Sequence, residues 1–259
     1  MKRLLSLPLL LLILTGCTVP ASSSAGARET YDALMTSSTY QPTLRPIYHA
    51  KTDEKVAALT FDLSWGTEVG PVILDILKQD GVKATFFLSG PWAKRHVEIV
   101  QRIHQEGHEV ESHGQAHVNL NELGREGAAK NIGDAHAILE SLTGRAPSYI
   151  RPPNGAFNDT SVQAAKDLGY ATVMWSVDSR DWMNPGTQTI IDRSTKLIHP
   201  GAVVLFHASD TCKYTHLALP TILQQLKAEG YRFVTLEELI KQYGVHPRGF
   251  IHVRPGQKE

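Results

Sequence analysis

The sequence predicts an α/β fold in which parallel strands are covered by helices. Three observations carry that expectation. Short apolar runs alternate with longer amphipathic ones from Lys55 to Tyr243, as repeated βα units do. No Gly-rich phosphate fingerprint follows the first run, which argues against a dinucleotide-binding domain. Polar residues gather where strands should end, the position at which a βα barrel builds its active site. An open doubly wound sheet and a closed barrel both fit the alternation; the third observation favours the barrel.

In order, Val56–Phe61 reads as the first strand, and Pro71–Gln79 as a helix with proline in its first turn. Ala84–Leu88 is the second strand, followed by a helix over Ala93–Gln105. Glu109–Ser112 is the third, followed by a long helix over Glu122–Leu142. Tyr149–Arg151 is the fourth, and Asn158 or Asp159 can cap a helix that runs to Leu168. Ala171–Ser176 is the fifth, with a helix over Gln188–Leu197. Ala202–Phe206 is the sixth, with a helix over Leu217–Glu229. Arg232–Thr235 is the seventh, and Leu236–Tyr243 closes with helix.

Composition narrows the function. The 26 Lys and Arg balance 26 Asp and Glu, which argues against non-specific nucleic-acid binding, since that requires a basic surface. Cys17 and Cys212 are the two cysteines, so no disulfide framework holds the fold.

The N-terminus reads as an export signal. Met1-Lys2-Arg3 is positive, and the apolar run Leu4–Leu14 is too short to span a bilayer, which takes about 20 residues. It ends in Leu14-Thr-Gly-Cys17, which resembles the lipobox of bacterial lipoproteins. That resemblance implies a signal peptide over 1–16, a diacylglyceryl group on Cys17, and attachment to the outer face of a membrane. Residues 17–52 read as the anchor cysteine, a tether and an N-terminal arm, 53–243 as the main domain, and 244–259 as a tail.

Several strand ends carry reactive side chains. Asp62 follows the first strand and His113 the third; Arg151 ends the fourth and His207 the sixth; Asp178 and Asp181 follow the fifth. His113 and His117 are four residues apart and can converge on one metal. Two prolines after Arg151 stiffen the backbone that would hold its guanidinium. Trp175 and Trp182 can be either core residues or cleft walls.

Taken together, Thr60-Phe-Asp62, Ser112-His-x-x-x-His117, Arg151-Pro-Pro-Asn-Gly155, Asp178-Ser-Arg-Asp-Trp182 and Leu205-Phe-His207 resemble, in order, the motifs of the polysaccharide deacetylase family (NodB homology, carbohydrate esterase family 4). The first motif, with Ser89-Gly-Pro-Trp92 and His207-Ala-Ser-Asp210, is most similar to the PdaB-type sporulation deacetylases. The resemblance implies a distorted (β/α)7 barrel and metal-dependent release of acetate from N-acetylated amino sugars of a cell-wall glycan, peptidoglycan or a chitin-like chain. It implies zinc on His113 and His117, Asp62 as base, Arg151 holding Asp62, His207 as acid and Asp181 orienting it. Asn154 would help hold the oxyanion, Trp182 and Leu205 would receive the acetyl methyl, and Asp178 would join them in the substrate pocket.

The sequence departs from that pattern once. The family's first motif carries two adjacent acids, the second a metal ligand; here Leu63 follows Asp62. Asp62 could then bind the metal itself, water or Ser64 could fill the gap, or the site could hold no metal. The last case describes a catalytically silent, glycan-binding lipoprotein.

Overall fold

The computed structural model describes residues 45–246. The expected leader, Cys17, the tether and most of the tail lie outside them.

Eight strand segments make one parallel sheet: β1 (Val56–Leu63), β2 (Thr85–Leu88), β3 (Glu109–Ser112), β4 (Tyr149–Ile150), β5 (Ala171–Thr172), β6 (Val177–Asp178), β7 (Ala202–His207) and β8 (Arg232–Val234). Their order is β5-β4-β3-β2-β1-β7-β6. β8 pairs with Val56–Ala58 of β1, while β2 pairs with Thr60–Leu63. β7 pairs with Ala57–Asp62 of β1, so β8 and β2 share its other edge and splay apart there. This is the distorted (β/α)7 barrel.

Among the described residues eight α-helices surround it: α1 (Val69–Gln79), α2 (Gly90–Arg95), α3 (Val97–Gln105), α4 (Gly124–Thr143), α5 (Asp159–Asp167), α6 (Thr187–Lys196), α7 (Thr215–Ala228) and α8 (Leu236–Tyr243). Asn158, rather than Asp159, caps α5 in a reciprocal box with Ser161, and Thr235 with Glu238 does the same for α8. Two sequence expectations change. The helix expected over Ala93–Gln105 is two helices, broken at His96 (φ −126°, ψ 53°). Of the fifth strand expected over Ala171–Ser176, only Ala171–Thr172 is strand; the next segment, β6, starts beyond the expected end at Val177, because β5 pairs with β4 and β6 with β7 at opposite ends of the sheet. The chain between them closes the ring covalently. The N-terminal arm contributes too: Ile47 bridges to Val173, His49 to Ala202, and Ala50 to Val245.

The period of two along each strand sorts side chains into two layers. On β1, Ala57, Leu59, Phe61 and Leu63 join the core between barrel and helices. Val56 and Ala58 point to the barrel interior, with Phe87, Val203 and Leu236. On β7, Ala202, Val204 and Phe206 face the helices and Val203 faces inward. Each strand therefore carries one inward row that ends at the mouth. Strands buried on both faces read as continuous apolar runs, which is why they are visible in sequence.

The barrel floor holds an acid pair. Glu109 and Glu111, alternate residues of β3, are both buried. Glu109 accepts hydrogen bonds from Thr85 Oγ1 (2.6 Å) and the Glu237 backbone N–H (3.1 Å). Glu111 accepts from the backbone N–H groups of Ser148 (2.8 Å) and Tyr149 (2.7 Å). Arg145 is the cation facing both, at 3.9 and 3.7 Å. Burial and the adjacent Glu109 push the Glu111 carboxyl well above the ordinary range. The folded chain thus holds a proton that the unfolded chain releases, so this contribution is full at low pH and is lost as pH rises through the folded-state pKa. Glu111→Gln is expected to flatten that decline, as measured by urea denaturation across a pH series.

Candidate active site

At the C-terminal ends of the strands lies a cleft of about 400 Å³. Asp62 is the last inward residue of β1 and His207 the last of β7, and the two are register partners on neighbouring strands. Adjacent strands run about 4.8 Å apart, so both side chains open on one small space. The Leu-x-His spacing on β7 follows from the same alternation: Leu205 and His207 share the inward row, and both line the cleft.

Each of the two is held from behind by a buried partner. Arg151 Nη1 donates to Asp62 Oδ1 at 2.8 Å. Arg151 is fully buried, with its guanidinium 4.2 Å from the Phe87 ring centroid and Nη2 donating to the Met174 carbonyl. Burial would push the Asp62 carboxyl up, but Arg151, with His113 and His207, outweighs it and holds the group below its ordinary value. On the other strand, His207 Nδ1 donates to Asp181 Oδ1 at 2.8 Å. Asp181 Oδ2 accepts from the His207 backbone N–H and from Thr215 Oγ1, both at 2.7 Å, so Asp181 cannot turn away. Burial alone would lower His207; the Asp181 charge outweighs it and raises the imidazole above its ordinary value.

His113 Nδ1 lies 2.8 Å from the Arg151 carbonyl oxygen. A carbonyl only accepts, so the Nδ1 carries the proton and Nε2 presents its lone pair. That nitrogen stands 3.8 Å from Asp62 Oδ2. Burial, with His117 beside it, brings His113 down to about 4, so it is neutral near pH 7, as a metal ligand must be. The His117 ring lies 5.2 Å from His113, centroid to centroid, and burial lowers its pKa as well. The donors suit a cation, though they are not drawn tightly together. Among the described residues, the three side chains whose donor atoms all lie within 4.8 Å of one another are Asp181, His207 and Cys212.

Leu63 takes no part in the cleft. It is buried in the outer layer, its Cδ2 3.5 Å from where a Cβ on Gly70 of α1 would stand. Strand alternation turns it away from Asp62, so the position that carries the second acid in the family pattern here serves the core. Ser64 is also buried, and its hydroxyl has no hydrogen-bond partner.

The other expected residues lie around the rim. Asn154, Asp178 and Trp182 line the cleft, and Trp182 is 53% exposed. Asn154, Arg180 and Asn184 are the non-glycine residues with positive φ among those described; Asn154 lines the cleft, and the other two lie two residues from its lining residue Trp182. Such strain persists where the surroundings impose it, commonly at functional sites. Gly155 is obligatory for packing: a Cβ there would come within 2.9 Å of Trp175, another cleft residue.

Sequence reasoning did not assign the residues that hold the loop after β1. Ser209 Oγ accepts from the backbone N–H groups of Ser64 and Trp65. Asp210 accepts from those of Thr67, Glu68 and Val69 at 2.9–3.0 Å, capping α1 from outside its own segment. This fixes Trp65, half-exposed, against the His117 ring at 4.7 Å. Their proximity to His207 in sequence was the available signal.

A family profile described as polysaccharide deacetylase matches residues 49–173. A peptidoglycan-N-acetylglucosamine deacetylase of Bacillus cereus is 36% identical over 204 residues, spanning 78% of this chain and 95% of that protein. This chain belongs to the polysaccharide deacetylase family.

Family members are hydrolases of carbon–nitrogen bonds, and the relatives include both working and silent forms. Peptidoglycan-N-acetylmuramic acid deacetylase PdaA of Bacillus subtilis is 32% identical over 197 residues, 74% of each chain. A carbohydrate-esterase-family-4 pseudoenzyme from Bacillus anthracis superposes with TM-score 0.72 at 35% identity, over 76% of this chain and 69% of that one. A mutant of that pseudoenzyme with restored enzymatic activity superposes equally well, at 36% identity over 76% and 72%.

Proposed function

We propose that this polysaccharide deacetylase removes acetyl groups from N-acetylated amino sugars of a cell-wall glycan, peptidoglycan in particular, and releases acetate. The observation that carries the reading is the facing pair Asp62 and His207, each backed by a buried partner of opposite charge at 2.8 Å. One is an anion held deprotonated and the other an imidazole held ready to donate. Amide hydrolysis needs a base for the attacking water and an acid for the departing amine. A glycan-binding protein needs neither in this form.

Asp62 Oδ1 is occupied by Arg151, which leaves Oδ2 to take the proton from water. His207 then delivers a proton to the sugar nitrogen as the C–N bond breaks, and Asp181 stabilises the charged imidazole. Leu205 and Trp182 shape the apolar side of the cleft for the acetyl methyl. His113 Nε2 and His117 would hold a divalent cation such as zinc. When bound, that cation polarises the acetyl carbonyl and acidifies water. Export as a lipoprotein anchored through Cys17 would bring the domain to its polymer.

The test is acetate release from peptidoglycan and from N-acetylglucosamine oligomers by the zinc-supplied chain. Release supports the reading. Glycan binding without acetate favours the silent alternative, to which Leu63 in the outer core and the pseudoenzyme relative both point. A pH series adds a sharper check. An acid catalyst must be protonated, so activity falls as pH rises through the His207 pKa. Because the Asp181 charge raises that pKa, Asp181→Asn is expected to move the alkaline limb of the acetate-release profile to lower pH.

A further inference from the structure

Cys212 lies in the cleft wall and has no role in the chemistry above. It is a buried free thiol with a weak polar contact to Thr211 Oγ1 at 3.9 Å. One donor atom from each of Cys212, His207 and Asp181 falls within 4.8 Å of the other two. Sulfur, imidazole nitrogen and carboxylate oxygen are the donors that zinc and cobalt take, and sulfur selects soft over hard cations. All three are buried or half-buried, and Cys212 and His207 also face the cleft, which leaves a fourth position open to water or solute. Asp181 and Asp62 are the anionic groups near the thiol.

We propose that Asp181, His207 and Cys212 form a second metal site in the cleft, for a thiophilic divalent cation, separate from His113 and His117, and that filling it inhibits the protein. The cation replaces the thiol proton and any proton on the coordinating ring nitrogen; both leave to solvent, and no electrons move. Occupancy ties up the imidazole and takes it out of proton transfer. The site stands independently of deacetylation; only its inhibitory consequence rests on that reading.

The experiment uses the full chain with Cys17→Ser, so that Cys212 is the sole thiol, titrated with cobalt(II) chloride. The expected result is a thiolate-to-cobalt charge-transfer band in the near ultraviolet that saturates at one equivalent for that thiol. It should persist in His113→Ala and disappear in both Cys212→Ser and Cys212→Ala. No band in the parent overturns the site, as does a band that survives loss of Cys212 or vanishes with His113. In parallel, excess zinc should suppress acetate release in the parent and not in Cys212→Ser. A saturated band with unchanged acetate release overturns the inhibitory role. A chain that releases no acetate at any zinc level removes the deacetylase reading, and the cobalt band still decides the site.

Discussion

Asp62→Asn is expected to lower acetate release by about 10²–10⁴-fold, the range a positioned acid or base contributes. Asparagine keeps the shape and can still accept from Arg151, so the fold should survive while the proton acceptor is gone. His207→Ala should fall in the same range. The double variant should fall little further, because base and acid act on one reaction and their losses do not add. Single-turnover acetate release, beside circular dichroism to confirm folding, checks all three. Retention of activity by Asp62→Asn would place the base elsewhere.

The second large effect is on stability. Arg151→Met is expected to destabilise the domain by about 3–5 kcal/mol, as removal of one member of a buried ion pair does. Methionine can occupy the space beside Phe87, so the loss measures mainly the Asp62 charge left without its partner. Urea denaturation of the parent, Arg151→Met and the Asp62→Asn/Arg151→Met pair gives the test. With no charge remaining at either position, the pair should recover much of the loss. If it recovers none, Arg151 acts through packing rather than through charge.

Much of this was legible in the sequence because the barrel strands are apolar on both faces and chemistry sits where they stop. Asp62, His113, Arg151 and His207 each end or directly follow a strand, so their convergence follows from topology once the units are counted. The broken fifth strand was not legible. Ala171–Ser176 reads as one apolar run, yet the chain pairs with β4 only at Ala171–Thr172 and with β7 only from Val177 onward. The break at His96 carries no proline or glycine to announce it. The support behind the site was hidden for a related reason. Ser209 and Asp210 act on backbone more than 140 residues earlier, and Thr215 steadies an aspartate 34 residues away. Leu63 was visible as a departure, but its direction depends on strand alternation, which the structure supplies.

On β3 the inward row runs Glu109, Glu111 and then His113 just past the strand end, so floor and mouth share one spine. A slip of this strand by a single residue would exchange its two rows. It would aim the imidazole away from the mouth and, in the same movement, drive both acids into the greasy layer beneath the helices. A misthreaded chain would therefore betray itself by failing to hold together, rather than persist as a well-folded but inert copy.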